Sequence, residues 1–176
     1  MKKYQVIYAD PPWKQPAEPQ NLHIKQSPKR DLPYKMMSAK EIASIPVHSI
    51  SATDSVLFLW TTNRHIEDAY LVARSWGFLP STLLVWCKKP KGRGLGGTFG
   101  LSTEYLLFAR RGNLRHKGRW HTTWFEAARH SHSEKPQVGA DIIEQVFDGE
   151  RIELFARRKR MGWDAWGNEV GSDITL

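Results

Sequence analysis

Short apolar runs separated by polar segments dominate the hydrophobic pattern of this 176-residue chain. Several of the runs are nearly continuous rather than alternating, which is typical of strands covered on both faces. They predict strands over 4–9, 56–60, 82–87, 104–109 and 151–155. Helical spacing with capping signals predicts helices over 39–44, 65–76 and 136–147. Strands that alternate with helices predict an α/β fold built on a mainly parallel sheet.

The region 82–109 departs from this alternation, because only a Gly-rich segment separates its two predicted strands. We therefore expect an antiparallel hairpin at one edge of the sheet. Two long segments, 14–35 and 88–102, do not read as regular structure. Loops of this length in a compact domain are usually functional or disordered, so we expect mobile lids or substrate loops. The whole chain, 1–176, is predicted to be a single domain.

The charge of the chain points to a partner. Lys and Arg number 26 against 18 Asp and Glu, which gives a net charge of +8 at pH 7. Such a balance concentrates polyanions around a protein, and nucleic acid is the natural partner. Basic residues cluster between positions 88 and 119. The nucleic-acid contacts predicted from this stretch are Lys88, Lys89, Lys91, Arg93, Arg110 and Arg111.

The composition weighs against several other classes of protein. A single cysteine, Cys87, leaves no intrachain disulfide and no cysteine-based zinc site, and it fits a cytoplasmic setting. No apolar run approaches the roughly 18 residues of a membrane helix, and the N-terminus lacks a signal-peptide core. Irregular histidine spacing argues against a metal site. The glycines between 92 and 97 lack the Gly-Lys-Ser/Thr of a phosphate loop.

The motif Asp10-Pro11-Pro12-Trp13 directly follows the first predicted strand. An acid at the carboxyl end of such a strand faces a ligand crevice. Two prolines restrict φ and remove two backbone donors, so we expect the carbonyls of Asp10 and Pro11 to be extended and available as acceptors. With Trp13 offering a stacking face, the motif is a cradle for a flat ligand that carries an exocyclic amino group, such as adenine.

Three ordered motifs resemble the MT-A70 family of adenine-N6 methyltransferases, in its small bacterial and phage branch. They are Asp10-Pro11-Pro12-Trp13, the segment HSEKP at 132–136, and the segments ELFAR and GWDAWGNE within 153–169. The match spans nearly the whole chain in the expected order. The resemblance implies a Rossmann-like, S-adenosylmethionine-dependent methyltransferase domain in permuted order, with the catalytic motif first and the cofactor-binding strand last.

The resemblance also implies roles for individual residues. Asp10 and the carbonyl of Pro11 would accept the two N–H bonds of adenine N6, while Trp13 and Pro12 would hold the base by stacking. In a duplex the base must first be flipped out. Lys135 would contact the methionine carboxylate of S-adenosyl-L-methionine. The implied cofactor-binding residues are Asp10, Lys135, Glu153, Arg157, Asn168 and Glu169.

Alternatives stay open on the sequence alone. An active adenine-N6 methyltransferase on DNA is favoured over one on RNA. A non-catalytic subunit that only presents nucleic acid is disfavoured, because Asp10, Trp13, Lys135 and Asn168 are all intact. Methylation of cytosine N4 is disfavoured, because a serine is more usual there than an acid. A homodimer is left open, with 88–102 or 120–124 as a candidate partner face.

Overall fold

The computed structural model describes residues 2–14, 35–89, 98–129 and 134–176. Within these ranges the chain forms strands, α-helices and short 3-10 turns at Val47–Ser49 and Asn63–His65. The helices are α1 Ala39–Ala43, α2 Ile66–Ser75 and α3 Val138–Val146. The strands are β1 Tyr4–Ala9, β2 Ser51–Thr61, β3 Leu79–Lys89, β4 Thr103–Arg111, β5 Trp124–Ala128, β6 Arg151–Leu154 and β7 Asp164–Trp166.

The strands form one sheet in the order β5-β3-β4-β2-β1-β6-β7. Parallel pairs join β1 to β2 and β6, β6 to β7, and β3 to β5. β4 pairs antiparallel with both of its neighbours, β2 and β3. Among the described strands β4 alone is reversed, so the predicted α/β fold with a mainly parallel sheet is confirmed.

The predicted hairpin of β3 and β4 is present, but its predicted place at the sheet edge is wrong. β5 pairs with β3 from Val85 opposite Trp124 to Lys89 opposite Ala128, and it takes the edge position. The hydrophobic pattern misses β5 because Glu126 interrupts this short strand after Trp124 and Phe125, so it carries no continuous apolar run. It misses β7 because that strand has only 3 residues.

The predicted loops are only partly within the described residues. Residues 15–34 of the first loop and 90–97 of the second lie outside them. The predicted start of the second loop at residue 88 is wrong, because β3 continues to Lys89. The longer strand results from pairing on both sides, since Cys87 lies opposite Thr103 and Lys89 lies opposite Ala128.

Side chains alternate across the sheet and build a core on each face. On one face Ile7 and Leu57 pack with Val72 of α2 and with Trp76, which follows that helix. On the other face Tyr8, Phe58 and Trp60 pack with α3. Helices pack on both faces, and a ligand crevice is expected at the carboxyl ends of the parallel strands. No helix in the described ranges is long and apolar enough to cross a membrane.

Candidate active site

The motif that follows β1 lies at the carboxyl edge of the parallel strands. A cavity of about 430 Å³ opens there, a volume within the usual range for small-molecule sites. Since β4 is reversed, its first residues reach this edge and bring Glu104 beside the motif. Other residues that line the cavity are Trp60, Lys135, Phe155, Arg157, Asn168 and Glu169.

Asp10 and Lys135 form an ion pair at the centre of the cavity. The Lys135 ammonium lies 2.7 Å from Oδ1 and 2.9 Å from Oδ2 of Asp10. Burial raises the pKa of the Asp10 carboxyl above its ordinary value, and the Lys135 ammonium opposes this rise. Burial also favours the neutral amine of Lys135, but the carboxylates of Asp10 and Glu104 outweigh it and raise the Lys135 pKa. The pair therefore orients the Asp10 carboxylate at the cavity wall.

Glu104 extends this pair into a chain of alternating charges. Its Oε2 lies 3.5 Å from the Lys135 ammonium, and its Oε1 accepts a hydrogen bond from Lys88. Lys88 also lies over the ring of Trp86, 5.1 Å from the ring centre. The sequence shows Glu104 only as the lone acid of a basic stretch. Glu104 reaches the site because β4 runs antiparallel to β2. The residue pattern alone does not predict that Glu104 lies near Asp10.

The backbone of the proline motif differs from the sequence-based expectation. The Trp13 N–H donates to the Pro11 carbonyl at 2.9 Å, so these residues close a tight turn. The Met37 N–H donates to the Pro12 carbonyl at 2.8 Å and ties the returning chain to the motif. The expectation that the Pro11 carbonyl is left without a donor is therefore wrong. A carbonyl oxygen has two lone pairs, so one lone pair of Pro11 remains for a ligand.

Trp13 is held firmly in place. Its side chain is 8% exposed, and its indole Nε1 donates to the Trp60 carbonyl at 2.9 Å. One face of the indole stacks on the buried His65 ring, with 5.5 Å between centres and 14° between planes. His65 in turn contacts Asp68 at 2.9 Å. Trp13 thus lines the cavity with its indole ring supported from behind by His65. The sequence does not indicate this contact with His65.

Trp60 connects the cavity to the core beneath α3. Its side chain is fully buried, and its Nε1 donates to the Tyr8 hydroxyl at 2.6 Å. The Lys135 ammonium lies 5.5 Å from the centre of the Trp60 ring, a distance that allows a cation–π interaction. A Cβ at Gly139 would lie 3.2 Å from Trp60, so the lack of a side chain there lets α3 approach closely. This packing places Lys135, just before α3, above the site.

Five of the six predicted cofactor residues line the cavity, and three of them follow β6 and β7 on one side of it. Arg157 and Glu169 form an ion pair at 3.0 Å, and Asn168 lies beside them. Glu153 does not line this cavity. It lines an adjoining cavity of about 230 Å³, which Asp10, Lys135, Arg157 and Glu169 also reach. Burial raises the pKa of Glu153, and the Arg160 guanidinium 3.3 Å away opposes this rise.

The turn after β6 shapes this side of the site. Phe155 has φ of 60°, a left-handed conformation that is uncommon for a residue other than glycine. Its ring meets the edge of Trp166 at 5.4 Å. A Cβ at Gly167 would lie 2.3 Å from the Ala156 carbonyl oxygen, so only glycine fits there. Phe155 and Trp166 both line the cavity, although neither is predicted from the sequence as a site residue.

The predicted nucleic-acid contacts do not lie together in the structure: two are near the cavity, two are at the opposite end of the strands, and two are outside the described residues. Lys88 and Lys89 lie at the carboxyl end of β3 near the cavity, where they pair with Glu104 and Glu126. Lys91 and Arg93 lie outside the described residues.

Arg110 and Arg111 end β4 at the opposite edge of the sheet. Arg110 lies opposite Val56, which lies opposite Val6, so Arg110 is four residues or about 13 Å from Asp10 along the strands. Arg110 faces α3, whereas Arg111 donates to the His48 carbonyl at 3.4 Å. Adjacent in sequence, the two side chains lie on different faces of the sheet.

The sheet and the cavity define an α/β protein with a ligand-sized cavity at the carboxyl edge of its parallel strands. The model of the MT-A70 family matches residues 4–169. The chain belongs to the MT-A70 family of S-adenosylmethionine-dependent adenine-N6 methyltransferases.

Three relatives illustrate the range of the family. The Type II methyltransferase M.MunI of Mycoplasma sp is 37% identical over 186 residues, covering 96% of this chain and 78% of the relative. The human N(6)-adenine-specific methyltransferase METTL4 is 31% identical over 191 residues, covering 96% of this chain and 38% of the relative. The human N(6)-adenosine-methyltransferase catalytic subunit METTL3 is 26% identical over 178 residues, covering 96% of this chain and 28% of the relative. The chain therefore spans well under half the length of the two human proteins.

The methyl donor of this family is S-adenosyl-L-methionine, and the residues at the cavity fit it. The donor carries an amino acid end with both charges, two ribose hydroxyls and a flat base. The cavity presents a cation at Lys135, carboxylates at Asp10 and Glu169, an amide at Asn168 and an aromatic ring at Trp166. In the described parts of the chain no three His, Cys, Asp or Glu side chains cluster as a metal site would require.

Proposed function

We propose that the protein transfers a methyl group from S-adenosyl-L-methionine to N6 of adenine in DNA. One observation carries the proposal: the carboxylate of Asp10, directly after β1, is oriented by Lys135 in a cavity that Asn168 and Glu169 also line. Family membership supplies the reaction class. A relative described as a Type II methyltransferase, with 78% of its length matched, favours DNA over RNA.

Adenine N6 is a poor nucleophile because its lone pair is delocalised into the ring. Two acceptors that bind its two N–H groups draw the nitrogen towards a pyramidal geometry and localise the lone pair. We assign these acceptors to the Asp10 carboxylate and to the second lone pair of the Pro11 carbonyl. Lys135 takes one hydrogen-bonding position on each Asp10 oxygen, which leaves further positions for the amine.

Charge placement contributes the second part of the catalysis. When bound, S-adenosyl-L-methionine supplies an electrophilic methyl group on a sulfonium centre. As the N6–CH3 bond forms, the bonding pair of the methyl group stays behind on sulfur and a neutral thioether leaves. The positive charge that develops on the adenine nitrogen is stabilised by the nearby Asp10 carboxylate in a partly buried setting, and the nitrogen then loses one proton to water. Positioning supplies the remainder, because the rigid backbone of the proline motif holds the acceptors in a single geometry.

The other side of the cavity would hold the donor. Lys135 is the cation for the methionine carboxylate, since its ammonium is already directed into the site by Asp10 and Trp60. Glu169, held by Arg157, accepts the ribose hydroxyls, while Asn168 both donates and accepts. Glu153, in the adjoining cavity, adds a further carboxylate to the donor side of the site.

Trp13 and Pro12 would stack on the target base. The His65 ring covers one face of the Trp13 indole, so the indole cannot tilt away when a base meets the cavity. In duplex DNA the target adenine must first leave the helix. Lys88 and Lys89 lie at this edge, each beside its glutamate partner, and we assign them to contacts with the nucleic-acid backbone. The sequence-based assignment of Lys91 and Arg93 to the same contacts stays a prediction.

The test is a comparison of three polymers that carry the same sequence. Purified protein is incubated with labelled S-adenosyl-L-methionine and single-stranded DNA, duplex DNA or RNA, and incorporation is measured. We expect label in DNA at a higher rate than in RNA. Faster labelling of RNA would transfer the proposal to RNA. Binding without any labelling would indicate a non-catalytic subunit instead.

A further inference from the structure

A second cavity lies on the α3 face of the sheet, away from Asp10. Its volume is about 490 Å³, as large as the active-site cavity. Aromatic rings form its floor: Phe58 and Phe108 are 5.1 Å apart, and Phe108 stacks on Phe147 at 5.9 Å. The rim carries Arg110, Arg119 and Trp120. We call this feature, with those six residues, the α3 groove.

The rim of the α3 groove is cationic. Arg110 and Arg119 are joined there by two histidines, His116 and His121. Among the described residues that line the groove, none is Asp or Glu. Arg119 is exposed, and no carboxylate within the described ranges lies in ion-pair distance of its guanidinium. Cations without acidic neighbours attract an anionic ligand at the least desolvation cost.

Trp120 adds an accessible aromatic ring to this rim. Its side chain is 38% exposed, although large apolar groups are usually buried. An exposed ring beside arginines is the combination that single-stranded nucleic acids use, because bases stack on the ring while phosphates meet the cations. The mostly apolar floor allows an inserted base to be buried against Phe58 and Phe108, away from water.

The wall that carries these groups is anchored to α3. The Lys117 N–H donates to the Val146 carbonyl at 2.8 Å, and the Lys117 ammonium pairs with Asp148 at 2.7 Å. A Cβ at Gly118 would lie 2.5 Å from the Gln145 carbonyl oxygen, so the backbone approaches α3 closely. The groove is therefore formed before a ligand arrives, which lowers the entropic cost of binding.

We propose that the α3 groove binds a single-stranded stretch of nucleic acid that flanks the target adenine. The inference depends on the proposed function, since it concerns the same polymer. Arg110 lies about 13 Å from Asp10 along the strand direction and, two strands away, about 10 Å across it, a separation that a few nucleotides span. One strand can therefore place its adenine at Asp10 and its neighbouring bases on Trp120. The groove then supplies affinity, and the edge near Asp10 supplies the chemistry.

The test measures how much affinity is gained when an oligonucleotide is lengthened. Fluorescence anisotropy is recorded with single strands of about 4 and about 16 nucleotides, each with one adenine. The full-length protein is compared with Arg119→Gln, Trp120→Ala and Trp120→Phe. Arg74→Gln is the matched control, because Arg74 is an exposed arginine on α2, which packs against the other face.

We expect lengthening to raise the affinity of the unmodified protein. Trp120→Ala should reduce this gain at least about fivefold, whereas Trp120→Phe keeps most of it. Arg119→Gln should lower the salt slope for the long strand by about 0.7, the contribution of one phosphate on a single strand. Arg74→Gln should keep the full gain. Thermal melting checks that each variant is folded.

Equal gains in Trp120→Ala, Arg119→Gln and Arg74→Gln would overturn the α3 groove. Methylation is counted in the same samples to separate the two proposals. Methylation with an unchanged gain refutes the groove and leaves the proposed function intact. A gain that depends on Trp120, without methylation of any strand, supports the groove and refutes the proposed function.

Discussion

The active site and the α3 groove both contain cations, but in the described parts of the chain only those of the active site are paired with carboxylates. At the active site Lys135 lies between Asp10 and Glu104, and Lys88 pairs with Glu104. In the α3 groove the described lining residues include arginines and histidines and no carboxylate. One set of charges is matched inside the protein, and the other is left for a partner.

The difference separates two uses of charge: orienting a catalytic carboxylate and attracting a nucleic acid. A matched pair holds a carboxylate in one orientation, which a reaction at a single atom requires. Unmatched cations draw in a polyanion and gain entropy by releasing its counterions. The net charge of +8 therefore does not describe the chemistry at Asp10. On the proposals above, it reflects the attraction of a nucleic acid to the rest of the surface.

The largest effect is expected at Asp10. Asp10→Asn keeps the shape of the side chain but removes its charge, so we expect methyl transfer to slow by at least about 10²-fold. The rate is measured in a single turnover with saturating S-adenosyl-L-methionine. Asp141→Asn is the matched control, because Asp141 is exposed on α3. A loss of less than about tenfold at Asp10 would show that its charge is not the acceptor that the chemistry needs.

A smaller effect, with a distinct pH signature, is expected at Lys135. The Lys135 ammonium opposes the burial that raises the Asp10 pKa, so Lys135→Met should raise that pKa further. Since the carboxylate is the active form, activity falls as the pH drops through this pKa. The acid limb of the rate profile should therefore move to higher pH. Rates recorded against pH for both proteins test this, and an acid limb that stays or moves to lower pH contradicts it.

The smallest effect is a difference between the adjacent residues Arg110 and Arg111 in the salt dependence of nucleic-acid binding. Both side chains donate to a backbone carbonyl, Arg110 to Leu114 at 3.1 Å and Arg111 to His48 at 3.4 Å, but only Arg110 lines the α3 groove. The sequence predicts that both arginines contact nucleic acid. The structure predicts that Arg110→Gln lowers the salt slope by about 0.7 for a long single strand and that Arg111→Gln lowers it less. Titrations at several salt concentrations decide between them, and equal slopes would restore the sequence-based interpretation.

The sequence predicted those features that depend on local pattern. β1 carries a continuous apolar run, and the prolines after it mark the end of the strand, so Asp10 could be placed at a ligand crevice. Glu104 could not be placed there, because nothing local reveals that β4 runs antiparallel to β2. His65 behind Trp13 is likewise a contact between distant parts of the chain.

Face and register explain the remaining differences. Arg110 and Arg111 look alike in a charge count, and only strand alternation separates them. The Pro11 carbonyl was expected to be free, but the N–H of Trp13 lies close enough to close a turn. β5 has too little apolar continuity to be predicted, although its pairing defines the sheet edge.

The most direct test of the central claim is the identity of the methylated nucleoside. DNA is incubated with the protein and labelled S-adenosyl-L-methionine, digested to nucleosides and separated. An adenine cradle at Asp10 predicts that the label is found in N6-methyladenine and is lost with Asp10→Asn. Label in N4-methylcytosine, or N6-methyladenine formed equally well by Asp10→Asn, would contradict the account.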